Sequence, residues 1–128
     1  MIIRLRTSKE SKERLENLNR VLRMSSNAVI LRYALAKSIN ETTPVEEDES
    51  SVVSNNSGFE INRVTLFGDN DIVYRLLMGV TDISDDEKFF PYLTNRHIER
   101  GLKILEREYK LAGNRDKFIL NLVDKIEI

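Results

Sequence analysis

The sequence predicts a mainly α-helical, single-domain protein that opens with a short strand. Its 128 residues suit one domain of ordinary size, and 41% hydrophobic with 32% charged residues is close to the globular average, so a core can form. Apolar residues recur every three or four positions over much of the chain, as they do along one face of a helix. The first residues alternate instead, which is the pattern of a strand.

The strand is predicted from Ile-Ile-Arg-Leu-Arg at residues 2–6. Side chains alternate between the two faces of a strand, so Arg4 and Arg6 share one face while Ile3 and Leu5 share the other. We expect the two apolar residues to face the core and the two arginines to be exposed.

Two helices should follow the strand. Ser8 or Thr7 can cap the first, because hydroxyl oxygens accept hydrogen bonds from the free N–H groups at a helix start. The turn Ser25-Ser26-Asn27 then offers good caps for the second helix. An apolar stripe runs along the first helix at Leu15, Leu18 and Leu22, with Val21 beside it.

The second predicted helix covers residues 28–39 and is apolar nearly all round, with Arg32 and Lys37 as its only charged residues. A helix of this kind is buried on most sides. In so short a unit, burial on several sides suggests a partner subunit.

The rest of the chain divides into an acidic loop and a helical C-terminal part. Residues 41–58 combine an acidic run with Ser, Asn and Pro, which predicts a mobile, solvated loop. Residues 59–68 are rich in β-branched and aromatic residues and favour a short strand. Three helices are expected after it. The first is capped by Asn70 or Asp71 and has an apolar inner face formed by Val73, Leu76, Leu77 and Val80. The second is capped by Thr94 and ended by Gly113-Asn114, and the last covers residues 116–126, where a strand is the alternative.

Charge is distributed unevenly, although the whole chain is nearly neutral with 20 basic and 21 acidic residues. Residues 1–40 carry nine basic and three acidic residues, a net of +6, whereas residues 41–62 carry six acidic residues and no basic one. Association depends on the local field, so the first forty residues are predicted to face DNA. A merely solvated, arginine-rich strand is the alternative.

A basic strand followed by two helices resembles the ribbon-helix-helix arrangement, in which two chains pair their strands and place the ribbon on DNA. Arg4 and Arg6 could then reach phosphates or base edges. The caps at residues 25–27 would direct free backbone N–H groups at a phosphate.

Several classes of protein are excluded by what the sequence lacks. With no cysteine, the chain cannot carry a disulfide, a thiolate metal site or a persulfide. One histidine leaves almost nothing for a transition-metal site. No apolar run approaches the ~20 residues of a membrane span, and the N-terminus has no secretory signal. We expect a cytoplasmic protein without a cofactor.

Three stretches carry a family resemblance: residues 3–9 with the leucine helix that follows, residues 26–38, and residues 62–68 with the later His-Ile-Glu-Arg-Gly-Leu at 97–102. In this order and length, the chain resembles the DndE family, the small subunit of the bacterial DNA phosphorothioation system. Arg23 is a departure, because it lies at a turn where the family often has glycine.

The resemblance implies a ribbon-helix-helix-like fold with extra helices, assembly as a tetramer, and binding of duplex DNA with a preference for nicks. It also implies partners, namely a cysteine desulfurase, an iron–sulfur protein and an ATPase, which together replace a non-bridging phosphate oxygen by sulfur. Without cysteine or a Gly-x-x-x-x-Gly-Lys loop, this chain is neither the sulfur carrier nor the ATPase. The residues that match the family's charged N-terminal region, and are predicted to bind DNA, are Arg4, Arg6, Lys9, Lys12, Arg32 and Lys37.

Other candidate sites are better explained by structure than by chemistry. His97 has no apparent orienting partner, so a hydrogen-bonding role is expected. Tyr33 and Phe67 could stack on an exposed base, although core packing is favoured. The acidic run at residues 46–49 could mimic DNA or simply keep its loop solvated. A two-metal nuclease site is conceivable from the remaining acidic residues, but helix starts and solvated turns explain them better: Asp69, Asp71, Asp82, Asp85, Asp86 and Glu87.

The sequence thus predicts a non-enzymatic, oligomeric DNA-binding subunit of the phosphorothioation machinery. Two alternatives stay open. One is a sequence-specific transcription regulator of the ribbon-helix-helix type. The other is an adaptor whose basic part docks an acidic protein.

Overall fold

The structure is a computed structural model that describes residues 1–24 and 26–124. Its strands and helices, in chain order, are β1 (Arg4–Arg6), α1 (Lys9–Leu22), α2 (Asn27–Ile39), β2 (Glu60–Asn62), α3 (Arg63–Phe67), α4 (Asp71–Leu77), α5 (Thr94–Ala112) and α6 (Arg115–Asp124). The prediction of a mainly α fold that starts with a strand and two helices is confirmed. Ser25 of the predicted turn and residues 125–126 of the predicted last helix lie outside the described residues.

The strand β1 pairs within its own chain. It runs antiparallel to β2, with Leu5 opposite Ile61 and Arg6 opposite Glu60. Leu5 and Ile61 face the core at 2% and 5% exposure, as expected for Leu5. Ile3 is 53% exposed, so the expectation that it faces the core is wrong. It lies one residue before β1, beyond the part of the strand that the core covers.

The ribbon anticipated from the sequence joins the strands of two chains, whereas here β2 is the neighbour of β1. Thr7 N–H donates to Phe59 O at 2.8 Å, so the carbonyl group of the preceding residue, Arg6, points to the opposite edge of β1. On that edge, Asn95 Nδ2 donates to Arg6 O at 3.0 Å. Both edges of β1 therefore have partners inside the chain at this end of the strand.

The first helix begins and ends as its local sequence dictates. Ser8 Oγ accepts a hydrogen bond from Ser11 N at 3.0 Å, which confirms the predicted cap. The predicted stripe of Leu15, Leu18 and Leu22 is at most 3% exposed. The helix ends at Arg23, whose φ of 55° is the left-handed conformation that glycine adopts most easily.

The second helix is buried mainly by α5 of the same chain. Gly101 allows the close approach, because a Cβ at this position would lie 1.9 Å from the Ala34 carbonyl oxygen. Leu31 and Leu35 are fully buried, while Tyr33 is 36% exposed. The burial of α2, which the sequence suggested was due to a partner subunit, is thus largely provided within the chain.

Residues 41–58 pack against α5. They contain short 3₁₀ turns at Val45–Glu47 and Glu49–Ser51. Val45 is 4% exposed, and its carbonyl oxygen accepts a hydrogen bond from Arg96 Nη2 at 3.0 Å. The predicted solvated loop is therefore solvated only in part, because α5 supplies donors to its backbone.

The apolar residues of α4 are mostly exposed, contrary to the prediction that they form an inner face. Val73, Leu76 and Leu77 were predicted to form its inner face, but they are 53%, 53% and 58% exposed. Of the four residues predicted for this face, only Val80, beyond the end of the helix, is buried. The helix is seven residues long and contacts the core through Tyr74, so most of its surface stays in solvent.

The last two helices lie where the sequence predicts them, although α5 begins differently. Thr94 does not cap α5, because the residue before it, Leu93, already has a helical backbone and Thr94 Oγ1 donates to Phe89 O at 2.8 Å. Gly113, with φ of 87°, ends α5 as predicted, and α6 is a helix rather than a strand over its described residues. Within residues 1–24 and 26–124, no helix is both long and apolar enough to cross a bilayer.

Candidate nucleic-acid interface

The two arginines of β1 project from the exposed face of the sheet. Because Leu5 between them faces the core, Arg4 and Arg6 turn outward, with side chains 68% and 50% exposed. Glu60 on β2 lies on the same face, at 2.9 Å from Arg6 Nη2 and 3.6 Å from Arg4 Nη1. One carboxylate is thus shared by two guanidinium groups, which leaves the face with an excess of positive charge.

Two lysines continue the positive charge into α1. Lys9 is the first residue of α1 and is exposed, and its backbone N–H donates to Asn55 Oδ1 at 2.9 Å. Lys12 follows one turn later and is 48% exposed, with Glu16 Oε1 at 4.0 Å. Such an exposed pair is weak and exchanges readily with solvent or another anion.

Arg32 and Lys37 have internal partners. Arg32 Nη1 donates to the carbonyl oxygens of Thr65 and Leu66 at 3.3 and 3.2 Å. Lys37 Nζ lies 2.8 Å from Glu108 Oε1, and its side chain is only 16% exposed. These two predicted site residues join α2 to α3 and to α5, whereas Arg4, Arg6, Lys9 and Lys12 point their charges to solvent.

The turn before α2 has its own cap. Ser26 Oγ accepts from Ala28 N at 3.1 Å, so this N–H group, which the sequence suggested for a phosphate, already has a partner. Ser25, the other predicted cap, lies outside the described residues.

Two of the six acidic residues considered for a nuclease site, Asp71 and Asp86, are paired with an arginine. The side chain of Arg63, 7% exposed, donates two hydrogen bonds to Asp71 and two to Asp86, at 2.6 to 2.9 Å. Its guanidinium also lies 5.1 Å from the ring centroid of Phe89. The hydrogen bonds from Arg63 lower the pKa of Asp86. The described residues contain no cluster of three or more potential metal ligands.

His97 is buried and hydrogen-bonded within the chain. Ser38 Oγ lies 2.7 Å from His97 Nδ1 and accepts a hydrogen bond from Arg100 Nε at 2.9 Å. Burial, and next the charge of Arg100, lower the pKa of His97 to about 4. The expected hydrogen-bonding role agrees with this geometry, and Ser38 is the partner that the sequence did not reveal.

The aromatic residues are distributed differently from the expectation. Phe67 is 3% exposed and stacks on Phe89 with ring centroids 5.3 Å apart, so it belongs to the core. Tyr92, which no pattern in the sequence singles out, is 46% exposed. The guanidinium of Arg96 lies 5.6 Å from its ring centroid.

The family model described as DNA sulphur modification protein DndE matches residues 4–113. The chain belongs to the DndE family. The matched range begins at the first residue of β1, so the basic strand, its partner Glu60 and the Arg63 cluster all lie within the family domain.

A solved DndE has the same fold. The crystal structure of DndE from Escherichia coli B7A, involved in DNA phosphorothioation modification, superposes with a TM-score of 0.62 at 16% sequence identity. The match covers 82% of this chain and 97% of that one. At this identity the likeness concerns the fold. No curated protein sequence matches this DndE-family chain significantly.

Proposed function

We propose that this DndE-family chain is a DNA-binding subunit of the DNA phosphorothioation machinery and has no catalytic activity of its own. The observation that carries the proposal is the pair Arg4 and Arg6, exposed side by side on one face of the sheet. Guanidinium groups bind phosphate oxygens in a bidentate geometry. Lys9 and Lys12 would add phosphate contacts from the first turns of α1.

The absence of catalysis is supported by how the reactive side chains are used. The paired carboxylates of Asp71 and Asp86 are bound to Arg63, and His97 Nδ1 is hydrogen-bonded to Ser38 Oγ. A general base or a metal ligand must instead present a free lone pair to a substrate or an ion. We therefore assign the chemistry of sulfur insertion to the partner subunits.

The preferred substrate in this proposal is duplex DNA, with a preference for nicks that the family resemblance supports. The machinery acts on DNA, so we expect the chain to act in the bacterial cytoplasm. A cofactor is not part of the proposal, because DNA binding through arginine and lysine requires none.

We further propose that the chain forms a homo-oligomer, a tetramer by its family resemblance, through α4. This helix exposes Ile72, Val73, Leu76 and Leu77, each by more than half. An exposed apolar patch of this kind is typical of an interface.

The proposal is tested by binding to intact and nicked duplexes of one sequence across a salt series. The native chain should bind, and its affinity should fall steeply with salt because phosphate contacts release counterions. Arg4→Ala/Arg6→Ala/Lys9→Ala should remove most of this affinity. The matched control is Arg107→Ala/Lys110→Ala/Lys117→Ala, which removes the same charge from the C-terminal part of the chain.

The alternatives give different results in the same experiment. If neither duplex binds at modest salt, DNA binding is refuted, and a basic surface for an acidic protein partner takes its place. If binding survives high salt and a random-sequence selection returns a motif with half-site spacing, the chain is a ribbon-helix-helix-type regulator. If both triple variants lose the same affinity, only the net charge matters and the assignment to β1 is wrong.

A further inference from the structure

A cleft of about 240 Å³ opens beside the basic strand. It lies between the end of the acidic segment and the start of α5, and its walls are Val52, Val53, Pro91, Tyr92, Asn95 and Arg96. Asn95 connects it to β1, because its Nδ2 donates to Arg6 O at 3.0 Å. A molecule that follows the arginines of β1 would therefore have this cleft within reach.

Two residues that line the cleft, Tyr92 and Arg96, carry planar side-chain groups. Tyr92 is 46% exposed, so the part of its ring that Arg96 does not cover is accessible to a ligand. The Arg96 guanidinium lies 5.6 Å from its ring centroid and is held there because Nη2 donates to Val45 O at 3.0 Å. An exposed aromatic ring and a fixed guanidinium plane are the surfaces on which unpaired nucleobases stack.

We propose that this cleft binds an unpaired nucleobase of DNA held on the basic strand. The inference rests on the proposed DNA binding and adds to it a site for a base that has left the duplex stack. Tyr92 and Arg96 would provide stacking, and the apolar walls of Val52 and Val53 would exclude water from the base. Asn95 would give a polar contact, since an amide group pairs with base edges.

Fluorescence tests this site directly, because the chain contains no tryptophan. Tyr92→Trp places a single reporter in the cleft, and the probe is a duplex with a short single-stranded gap, compared with the intact duplex of the same sequence. Stacking of an unpaired base should quench the tryptophan strongly with the gapped duplex and little with the intact one. Tyr33→Trp is the control, because Tyr33 is 36% exposed on α2 and does not line the cleft.

Affinity provides a second readout that does not depend on the reporter. Tyr92→Ala should lower the ratio of gapped-duplex to intact-duplex affinity by about tenfold, which is the usual effect of losing one stacked base, whereas Tyr92→Phe should retain the ratio. Circular dichroism checks that each variant is folded.

The outcomes separate the cleft from the DNA-binding face. If the native chain binds intact duplex with a steep salt dependence but Tyr92→Trp is not quenched by the gapped duplex, the cleft proposal is overturned and the basic strand stands. The cleft proposal is also overturned if Tyr92→Ala leaves the affinity ratio unchanged. If the native chain binds no DNA, both proposals fall together.

Discussion

Glu60 lies directly opposite Arg6 in the two-stranded sheet, and its Oε2 is 2.9 Å from Arg6 Nη2. The other carboxylate oxygen is 3.6 Å from Arg4 Nη1. The carboxylate therefore lies beside both guanidinium groups, where a phosphate bound by the two arginines would lie. An acidic residue on the proposed DNA face makes Glu60 a competitor of the ligand.

Glu60→Gln should tighten DNA binding by about 1.5- to fivefold, since an exposed ion pair contributes roughly 0.2 to 1 kcal/mol. The affinity should also fall more steeply with salt, because the freed arginines can contact additional phosphates. Fluorescence anisotropy with a labelled duplex measures both. Glu13→Gln is the matched control, since it removes one negative charge from an exposed position on α1. If Glu60→Gln and Glu13→Gln raise the affinity for DNA equally, Glu60 acts only through net charge.

Leu76→Glu should lower the order of self-association without unfolding the chain. Leu76 is 53% exposed, so a charge at this position disturbs the core little but would be costly inside an apolar interface. Analytical ultracentrifugation measures the assembly, and thermal melting checks the fold. Leu111→Glu serves as the control, because Leu111 is 82% exposed at the end of α5. An unchanged assembly in Leu76→Glu would exclude α4 as the interface.

Acidification should destabilise the native chain partly through His97. Its pKa is near 6.5 when unfolded and about 4 when folded, so the unfolded state binds the proton more readily between these values. The stability linked to His97 is present above pH 6.5 and is lost as the pH falls toward 4. Between pH 7 and pH 5 the expected loss is about 2 kcal/mol.

Urea unfolding of the native chain and of His97→Asn across this pH range measures the effect. Asparagine retains an acceptor for Ser38 but cannot be protonated, so the variant should lose less stability on acidification. Carboxylates titrate in both proteins and cancel in the comparison. A histidine pKa near 6.5 in an NMR titration of the folded chain would contradict the prediction.

Arg23→Gly should raise the free energy of unfolding by about 0.5 to 1 kcal/mol. Arg23 has a φ of 55°, a conformation that is strained for residues with a Cβ and free for glycine. Denaturant unfolding measures the change. Arg20→Gly should instead destabilise by about 1 kcal/mol, because Arg20 lies inside α1, where glycine is unfavourable. If Arg23→Gly is also destabilising, the side chain of Arg23 makes a contribution that outweighs the backbone strain.

Much of the local structure could be predicted from the sequence. Ser8 caps α1, the leucines spaced along that helix are buried, and Gly113 ends α5. Each of these features depends on residues within about four positions of one another, where helix geometry alone brings the groups together. The family resemblance also lay in such short, ordered stretches, and the matched range of residues 4–113 confirms it.

Residues far apart in sequence decided the rest. Glu60 is 54 positions from Arg6, and Lys37 on α2 is paired with Glu108 on α5, so the partners of these two cations could not be predicted from neighbouring residues. The sequence by itself determined the fold class, the family and a basic N-terminus. Only the tertiary structure decided which cations point to solvent, that α4 exposes its apolar residues, and that Tyr92 borders a cleft. The physical reason is that a side chain's partner and exposure depend on which distant segments pack beside it, and periodicity within one helix does not specify these segments.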